Sequence, residues 1–225
     1  MSAPPLLRAC GLSLSYRADQ PGPPILRELS LDLARGELVA VIGRSGSGKT
    51  TLLNVIGAMD KATSGQLEFA GEDMTRWDDH ARTRFRRTHL GFVFQAFNLL
   101  PTLTVRENIA LPLELNGLPH GPRVQALLDE LGIAAVAERF PDQISGGEQQ
   151  RTAIARAIAH RPALIIADEP TGNLDRETGR EVITLFERSV RANGATLLMA
   201  THSDEMIGRA DRVLELRDGA LHGRS

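Results

Sequence analysis

Two stretches of this chain carry residue types and spacings suited to phosphate chemistry. The first runs Gly43-Arg44-Ser45-Gly46-Ser47-Gly48-Lys49-Thr50, with Thr51 directly behind it. Its three glycines allow a backbone turn that aims successive N–H groups at phosphate oxygens. Lys49 is spaced to reach β and γ phosphates, and the Thr50 hydroxyl to ligate Mg²⁺. A helix starting there adds its positive N-terminal end. Residues 43–51 are therefore the candidate nucleotide-binding set. The second stretch, Leu164 to Glu169, is an apolar run that ends in two carboxylates. Asp168 at a strand tip suits Mg²⁺, held directly or through water, and Glu169 suits polarisation of an attacking water. Pro170 biases Glu169 toward an extended backbone, which would hold its carboxylate away from the sheet. Alone, such a strand reads as one ending in an acidic turn. The glycine-rich loop upstream makes the two stretches a candidate ATPase site.

Positioning these groups requires a strand before the loop, a helix after it and a buried strand under Asp168. Leu38 to Ile42 is a continuous apolar run entering the glycine turn, as expected of a strand buried on both faces. Thr50 to Ala58 reads as the following helix. Upstream, Leu12, Leu14 and Tyr16, a Pro-Gly-Pro-Pro break, then Leu29, Leu31 and Leu33 predict two strands joined by a turn. Gln66 to Ala70 and Leu90 to Phe94 are further short strands. Asp78 to Arg87 predicts a helix, with charges that suit its macrodipole. From Ala96 to about His160 the spacing turns helical, as in Val124, Leu127, Leu128 and Leu131. Strand character returns at Ala163 to Ala167, Thr196 to Ala200 and Val213 to Leu216, with a helix near Glu177 to Arg191. The expectation is an α/β core interrupted by a helical insertion.

Composition narrows the partners. With 225 residues, 42% hydrophobic and 24% charged, the chain can bury a full core. A formal charge of -2 gives no general attraction to nucleic acid, and no nucleic-acid partner is expected. Arg82, Arg84, Arg86 and Arg87 beside Trp77 read by default as a solvated helix face, with anionic lipid headgroups as the alternative contact. Cys10 is the only cysteine, so neither an intrachain disulfide nor a cysteine metal site is expected. His80, His89, His120, His160 and His222 have no ligand-like spacing. The N-terminus lacks the basic start and apolar run of a signal peptide, and no stretch approaches the roughly 20 apolar residues that cross a bilayer. Any membrane role would need another polypeptide to hold this one there.

The loop, the acidic strand end and the intervening Ile144-Ser145-Gly146-Gly147-Glu148 together resemble the ATP-binding cassette (ABC) family over nearly the whole chain. The resemblance implies a P-loop α/β core with an N-terminal antiparallel β-subdomain, spanning 1–95 and 160–225, and a helical subdomain over 96–159. It implies that Tyr16 stacks on adenine and that Gln95 senses Mg²⁺ and the γ-phosphate and faces a membrane partner. His202 would contact the γ-phosphate. Ser145, Gly146 and Gly147 would close over ATP held by a second copy, and Asn173-Leu174-Asp175 would cross that interface. The implied catalytic set is Glu169, His202, Gln95 and Lys49, and the implied metal set is Thr50, Gln95 and Asp168, acting on ATP with Mg²⁺. Gly-Phe-Val-Phe-Gln-Ala-Phe-Asn-Leu-Leu-Pro from Gly91 and Ala-Asp-Glu-Pro-Thr-Gly-Asn-Leu-Asp from Ala167 are similar to the lipoprotein-release, macrolide-export and FtsE-type ATPases. Such proteins are homodimers paired with FtsX-like or MacB-like permeases at the cytoplasmic face of the bacterial inner membrane. In them the region of Gln95 to Leu103, here with Phe97, Leu99 and Leu100, receives the permease. An FtsE-like regulator of a periplasmic cell-wall enzyme, and a soluble cassette ATPase of an assembly machine, are the alternatives. One departure from the usual LSGGQ bears on the site: Glu148 could bring negative charge near a triphosphate. Ser145-x-x-Glu148 is also a capping box, which would fold the carboxylate back onto Ser145.

Overall fold

The apolar alternations and the continuous apolar runs of the sequence become two different kinds of strand. The structure is a computed structural model and describes residues 4–15 and 24–224. Along the chain these form β1 (Leu7–Leu14), β2 (Leu26–Leu33), β3 (Leu38–Ile42), α1 (Lys49–Ile56), β4 (Ser64–Phe69), β5 (Glu72–Asp73), α2 (Asp79–His89) and β6 (Leu90–Phe94). Then come α3 (Val105–Leu115), α4 (Gly121–Glu130), α5 (Gly146–Ile158), β7 (Leu164–Asp168), α6 (Arg176–Ala192), β8 (Thr196–Ala200), α7 (Asp204–Ile207), β9 (Arg212–Arg217) and β10 (Ala220–Arg224). The chain divides into two units, one of Met1–Arg86 with Thr196–Ser225 and one of Arg87–Ala195.

In the first unit an antiparallel sheet runs in the order β2-β1-β4-β5. Leu7, Leu12 and Leu14 of β1 pair with Leu33, Leu29 and Leu26 of β2, and all six are buried. Such cross-strand pairs are the unit of sheet stability. The expected turn between these strands lies outside the described residues. Beside this sheet, β3 is flanked by β8 and β9, both parallel to it, and β10 returns antiparallel to β9. β3 and β8 are almost wholly buried, as their unbroken apolar runs required. β10 is absent from the sequence expectation, which stopped at Leu216. Asp218 and Gly219, with φ of 51° and 80°, form the tight two-residue turn that makes the hairpin.

On α2 the arginines do not share one solvated face. Arg82 is buried and Arg86 donates to the Ala58 carbonyl at 2.7 Å, whereas Arg84 and Arg87 are exposed. Phe85 draws this helix inward, meeting Phe69 and Trp77 edge-on at 4.8 and 5.3 Å. The arginine next to Phe85 in the helical repeat is carried in with it.

In the second unit β6 and β7 pair in parallel from Leu90↔Leu164 to Phe94↔Asp168. The helical stretch resolves into α3, α4 and α5 with 3₁₀ turns at Ala134–Val136 and Pro141–Gln143. α5 packs against α3, α6 and β6. Ile109, Leu113, Val124, Leu127, Leu128, Ile154 and Ile158 are buried, which matches the three-to-four-residue spacing of the sequence. The segment 96–104 is not helical. It is held instead by side chains described below.

Candidate functional site

In the first unit β3 delivers the chain into the glycine-rich loop and α1 leads it away. Gly48 caps α1 with φ of 101°, and having no side chain it leaves the first-turn N–H groups without a side-chain cap. Gly43 cannot be replaced without movement: a Cβ there would lie 2.5 Å from the Leu216 carbonyl oxygen and 2.8 Å from Ser47 Oγ. Lys49 is only 8% exposed, and its ammonium contacts Gly43 O at 2.9 Å, Arg44 O at 3.3 Å and His202 Nε2 at 3.2 Å. An ammonium has three donors and no acceptor, so all three are matched here. His202 Nε2 is therefore the acceptor of the pair, and the ring proton lies on Nδ1. Ser47 Oγ is buried without a partner among the described residues. A loop with an uncapped helix start, a buried lysine and an orphaned hydroxyl fits a phosphate chain. On one flank lies an open cleft of about 530 Å³ bounded by Ile25, Arg44 to Ser47 and Arg217 to Gly219.

In the second unit β6 and β7 end level, at Phe94 and Asp168, so Gln95 and Glu169 leave adjacent strand ends. Ligands of parallel sheets meet such carboxyl ends. Glu169 is not extended. Its φ is 46°, in the left-handed region, and its carbonyl accepts from Gly172 N–H at 3.0 Å. The turn from 169 to 172 overrides the preference imposed by Pro170. A residue held this way costs about 1–3 kcal/mol and persists only where its surroundings fix it. Gln95 donates from Nε2 to Asn173 Oδ1 at 3.1 Å, while Asn173 Nδ2 donates to the Gln95 main-chain carbonyl at 2.9 Å.

The capping box is present. Glu148 Oε2 accepts from Ser145 N–H at 2.8 Å and from its hydroxyl at 2.7 Å, while Glu148 N–H donates to Ser145 Oγ at 3.4 Å. These bonds hold the Glu148 carboxyl below its usual pKa. The carboxylate is thus turned onto the helix start. A Cβ on Gly146 would meet the Leu174 side chain at 3.5 Å, and one on Gly147 the Thr178 methyl at 2.6 Å, so Ser145–Gly147 adjoin the segment 174–178. Asp175 caps α6, accepting from Glu177 and Thr178 N–H at 3.1 Å each, and its pKa is lowered by hydrogen bonds from the Thr178 side chain first, then from the Thr178 and Glu177 backbone.

The structure thus gathers Gly43 to Thr51 with His202 in one unit. In the other it gathers Gln95, Asp168 and Glu169 at the strand ends, and Ser145 to Gly147 beside Leu174. Tyr16 lies outside the described residues. Two positioning residues escaped the sequence reading. Asn108, fully buried, donates to the carbonyls of Leu100, Leu103 and Thr104 at 3.0 to 3.1 Å and accepts from Leu100 N–H at 2.9 Å. Arg156 donates to the carbonyls of Phe97 and Asn98 at 3.0 and 2.7 Å. Together they fix the segment after Gln95. Neither stands in a motif, and only the three-dimensional path of 96–104 reveals their acceptors.

The residues the sequence offers for a divalent ion are Thr50 in the first unit, with a hydroxyl, and Asp168 and Gln95 in the second, with a carboxylate and an amide oxygen at adjacent strand ends. All are hard oxygens and fit Mg²⁺, which is ordinarily held by one or two carboxylates plus substrate phosphates. Among the described residues no cluster of three His, Cys, Asp or Glu could hold a metal unaided.

The pattern of the ABC transporter family matches residues 26–172, and the chain belongs to that family as an ATP-binding cassette of ATPase type. Within it the chain falls among the LolD/MacB-like ATPases. It is 46% identical over 224 residues to the ABC transporter ATP-binding protein Rv0986 of Mycobacterium tuberculosis, covering 98% of this chain and 90% of that one. It is 42% identical over 220 residues to the macrolide export ATP-binding/permease protein MacB of Escherichia coli K12, covering 96% of this chain but 34% of MacB. Among solved structures, the dimeric ATP-binding cassette MJ0796 in a post-hydrolysis state with ADP and Pi superposes with a TM-score of 0.87 at 35% identity, covering 97% and 99% of the two chains.

Proposed function

We propose that this chain is the ATP-hydrolysing subunit of a bacterial inner-membrane transporter of the lipoprotein-release or macrolide-export type. It acts as a homodimer on the cytoplasmic face, where an FtsX-like or MacB-like permease holds it. The observation that carries the reading is the P-loop itself: a buried Lys49 whose three donors are matched by two loop carbonyls and His202. A γ-phosphate offers these donors charged acceptors in exchange for neutral ones.

Each of two composite sites uses Tyr16, Gly43 to Thr50, Gln95, Asp168, Glu169 and His202 of one copy and Ser145 to Gly147 of the other, with Asp175 near the seam. Mg²⁺ held by Thr50, Asp168 and Gln95 would offset the charge developing on the phosphate oxygens. Lys49 and the loop N–H groups bind and align the phosphate chain. Glu169 orients the attacking water and takes its proton, and His202, once exchanged from Lys49, turns to the γ-phosphate. Catalysis comes chiefly from this positioning and electrostatic stabilisation. The MacB likeness and the exposed Leu100 support a permease contact at Gln95 to Leu103.

The test is Glu169→Gln. The variant should bind Mg-ATP with near wild-type affinity, lose about 10²–10⁴-fold in turnover, and accumulate as an ATP-bound dimer. Purified from detergent-solubilised membranes with Mg-ATP, it should carry a permease with it. Wild-type turnover would remove Glu169 from the base role, and recovery of only soluble partners would remove the membrane role.

A further inference from the structure

Asn173 bonds both ends of Gln95, and the chemistry of those bonds determines which way the Gln95 amide faces. The Gln95 main-chain carbonyl can only accept, so the Asn173 atom 2.9 Å from it must be the NH₂ group. That makes the other atom of the Asn173 amide the oxygen. The Gln95 atom 3.1 Å from it must then be Nε2, since oxygen facing oxygen would be repulsive. Gln95 Oε1 is left as the acceptor not engaged by this pair. The order of oxygen and nitrogen at Gln95 therefore follows from a neighbour 78 residues away, in a loop of different origin.

Gly172 contributes the space. A Cβ at this position would stand 2.8 Å from Gln95 Nε2, 3.0 Å from its Cδ and 3.2 Å from its Cγ. A side chain there would push the Gln95 amide out of its place. The displaced group is the end of a long, exposed side chain rather than backbone, so the change should cost little stability. It would alter where the amide points and leave the fold alone.

We infer that Gly172 and Asn173 are positioning residues that set the orientation of the Gln95 amide, so that it presents oxygen and not nitrogen to the divalent ion accompanying the nucleotide. This rests on the reading of Gln95 as a metal-facing residue. A hard cation takes an amide oxygen and rejects an NH₂ group, so losing the orientation loses the ligand even with Gln95 intact. Neighbours that orient a ligand ordinarily influence metal affinity about 10–100-fold.

The experiment uses Mn²⁺ as probe and the hydrolysis-arrested Glu169→Gln chain as background. ATP is kept below the protein concentration so that all nucleotide is bound, and free Mn²⁺ is read from its EPR signal. Gly172→Ala and Asn173→Ala, each added to that background, should weaken Mn²⁺ binding about tenfold. ATP affinity in EDTA should stay within about twofold and the melting temperature within about 2 °C, effects too small for a change of fold. A merely structural role would move the last two together with the first. Gln95→Ala is the reference. If it weakens Mn²⁺ binding while Gly172→Ala and Asn173→Ala do not, the positioning role is overturned and the metal-facing reading of Gln95 stands. If Gln95→Ala itself leaves Mn²⁺ binding unchanged, that reading fails and the inference with it.

Discussion

Lys49 illustrates how a buried ammonium can be fully matched by acceptors. Its three acceptors lie at 2.9, 3.2 and 3.3 Å, so no ammonium proton is wasted although the residue is buried. A hydrogen bond involving a charged group contributes about 1.5–3 kcal/mol. Lys49→Ala should therefore weaken ATP binding about 10–100-fold, measured by equilibrium titration with a fluorescent ATP analogue; unchanged binding would contradict the P-loop assignment. At this scale the sequence was informative wherever one residue's chemistry is enough. The place of Lys49 at the start of α1 and of Asp168 at the end of β7 was legible from type and spacing. The backbone of Glu169 was not, because the turn closed by Gly172 outweighs the local bias from Pro170. The pairing of Lys49 with His202 and of Gln95 with Asn173 was also hidden, since these partners are 153 and 78 residues apart.

Among the elements, α5 opens on Ser145-Gly146-Gly147, and its start is fixed by the reciprocal bonds of Ser145 and Glu148. Ser145→Ala should cost about 1 kcal/mol, as loss of an N-cap does, read from urea unfolding. The box also makes a pH prediction with a definite sign. Hydrogen bonds from Ser145 lower the folded pKa of Glu148. The stabilisation is therefore complete above the unfolded value of about 4.3 and is lost as the pH falls through the lower folded value. Glu148→Gln keeps the acceptor and lacks the titration, so the stability difference between wild type and variant should shrink from pH 6 toward pH 3. A difference that does not change with pH would sink this account. Asn108 is the element-scale counterpart for the segment after Gln95. Asn108→Ala removes the side-chain donor to the Leu103 carbonyl and the acceptor of Leu100 N–H, while Leu103 N–H and the residue 108 N–H still serve the Leu100 and Thr104 carbonyls, and should destabilise by about 1–3 kcal/mol. It should also raise hydrogen exchange in residues 96–104 selectively. Helix spacing announced a helical region from Ala96 to about His160, without its division into α3, α4 and α5, because these helices bury stripes of aliphatic residues. The non-helical path of 96–104 was missed because one buried amide and one arginine, not periodicity, shape it.

For the whole molecule, the decisive question is whether a site borrows its signature residues from a second copy. Ser145 to Gly147 open α5 within the second unit, whereas the phosphate loop lies in the first, and the chain resembles a cassette solved as a dimer. Complementation in mixed dimers separates the two arrangements. Lys49→Ala spoils the phosphate loop, and Ser145→Arg puts a bulky cation at the signature; each chain alone should be nearly inactive. If the signature acts across the interface, a mixed dimer holds one doubly spoiled site and one intact site. The intact site takes Lys49 from the Ser145→Arg chain and Ser145 from the Lys49→Ala chain. Random pairing makes half the dimers mixed, so an equimolar mixture should recover about a quarter of the wild-type ATPase rate. The recovery should require protein concentrations at which dimers form. If both groups served the same copy's nucleotide, every chain would carry one lesion in its own site and mixing would restore nothing. Melting temperatures of the two single variants, compared before mixing, ensure that the lost cap at Ser145 is not mistaken for lost chemistry.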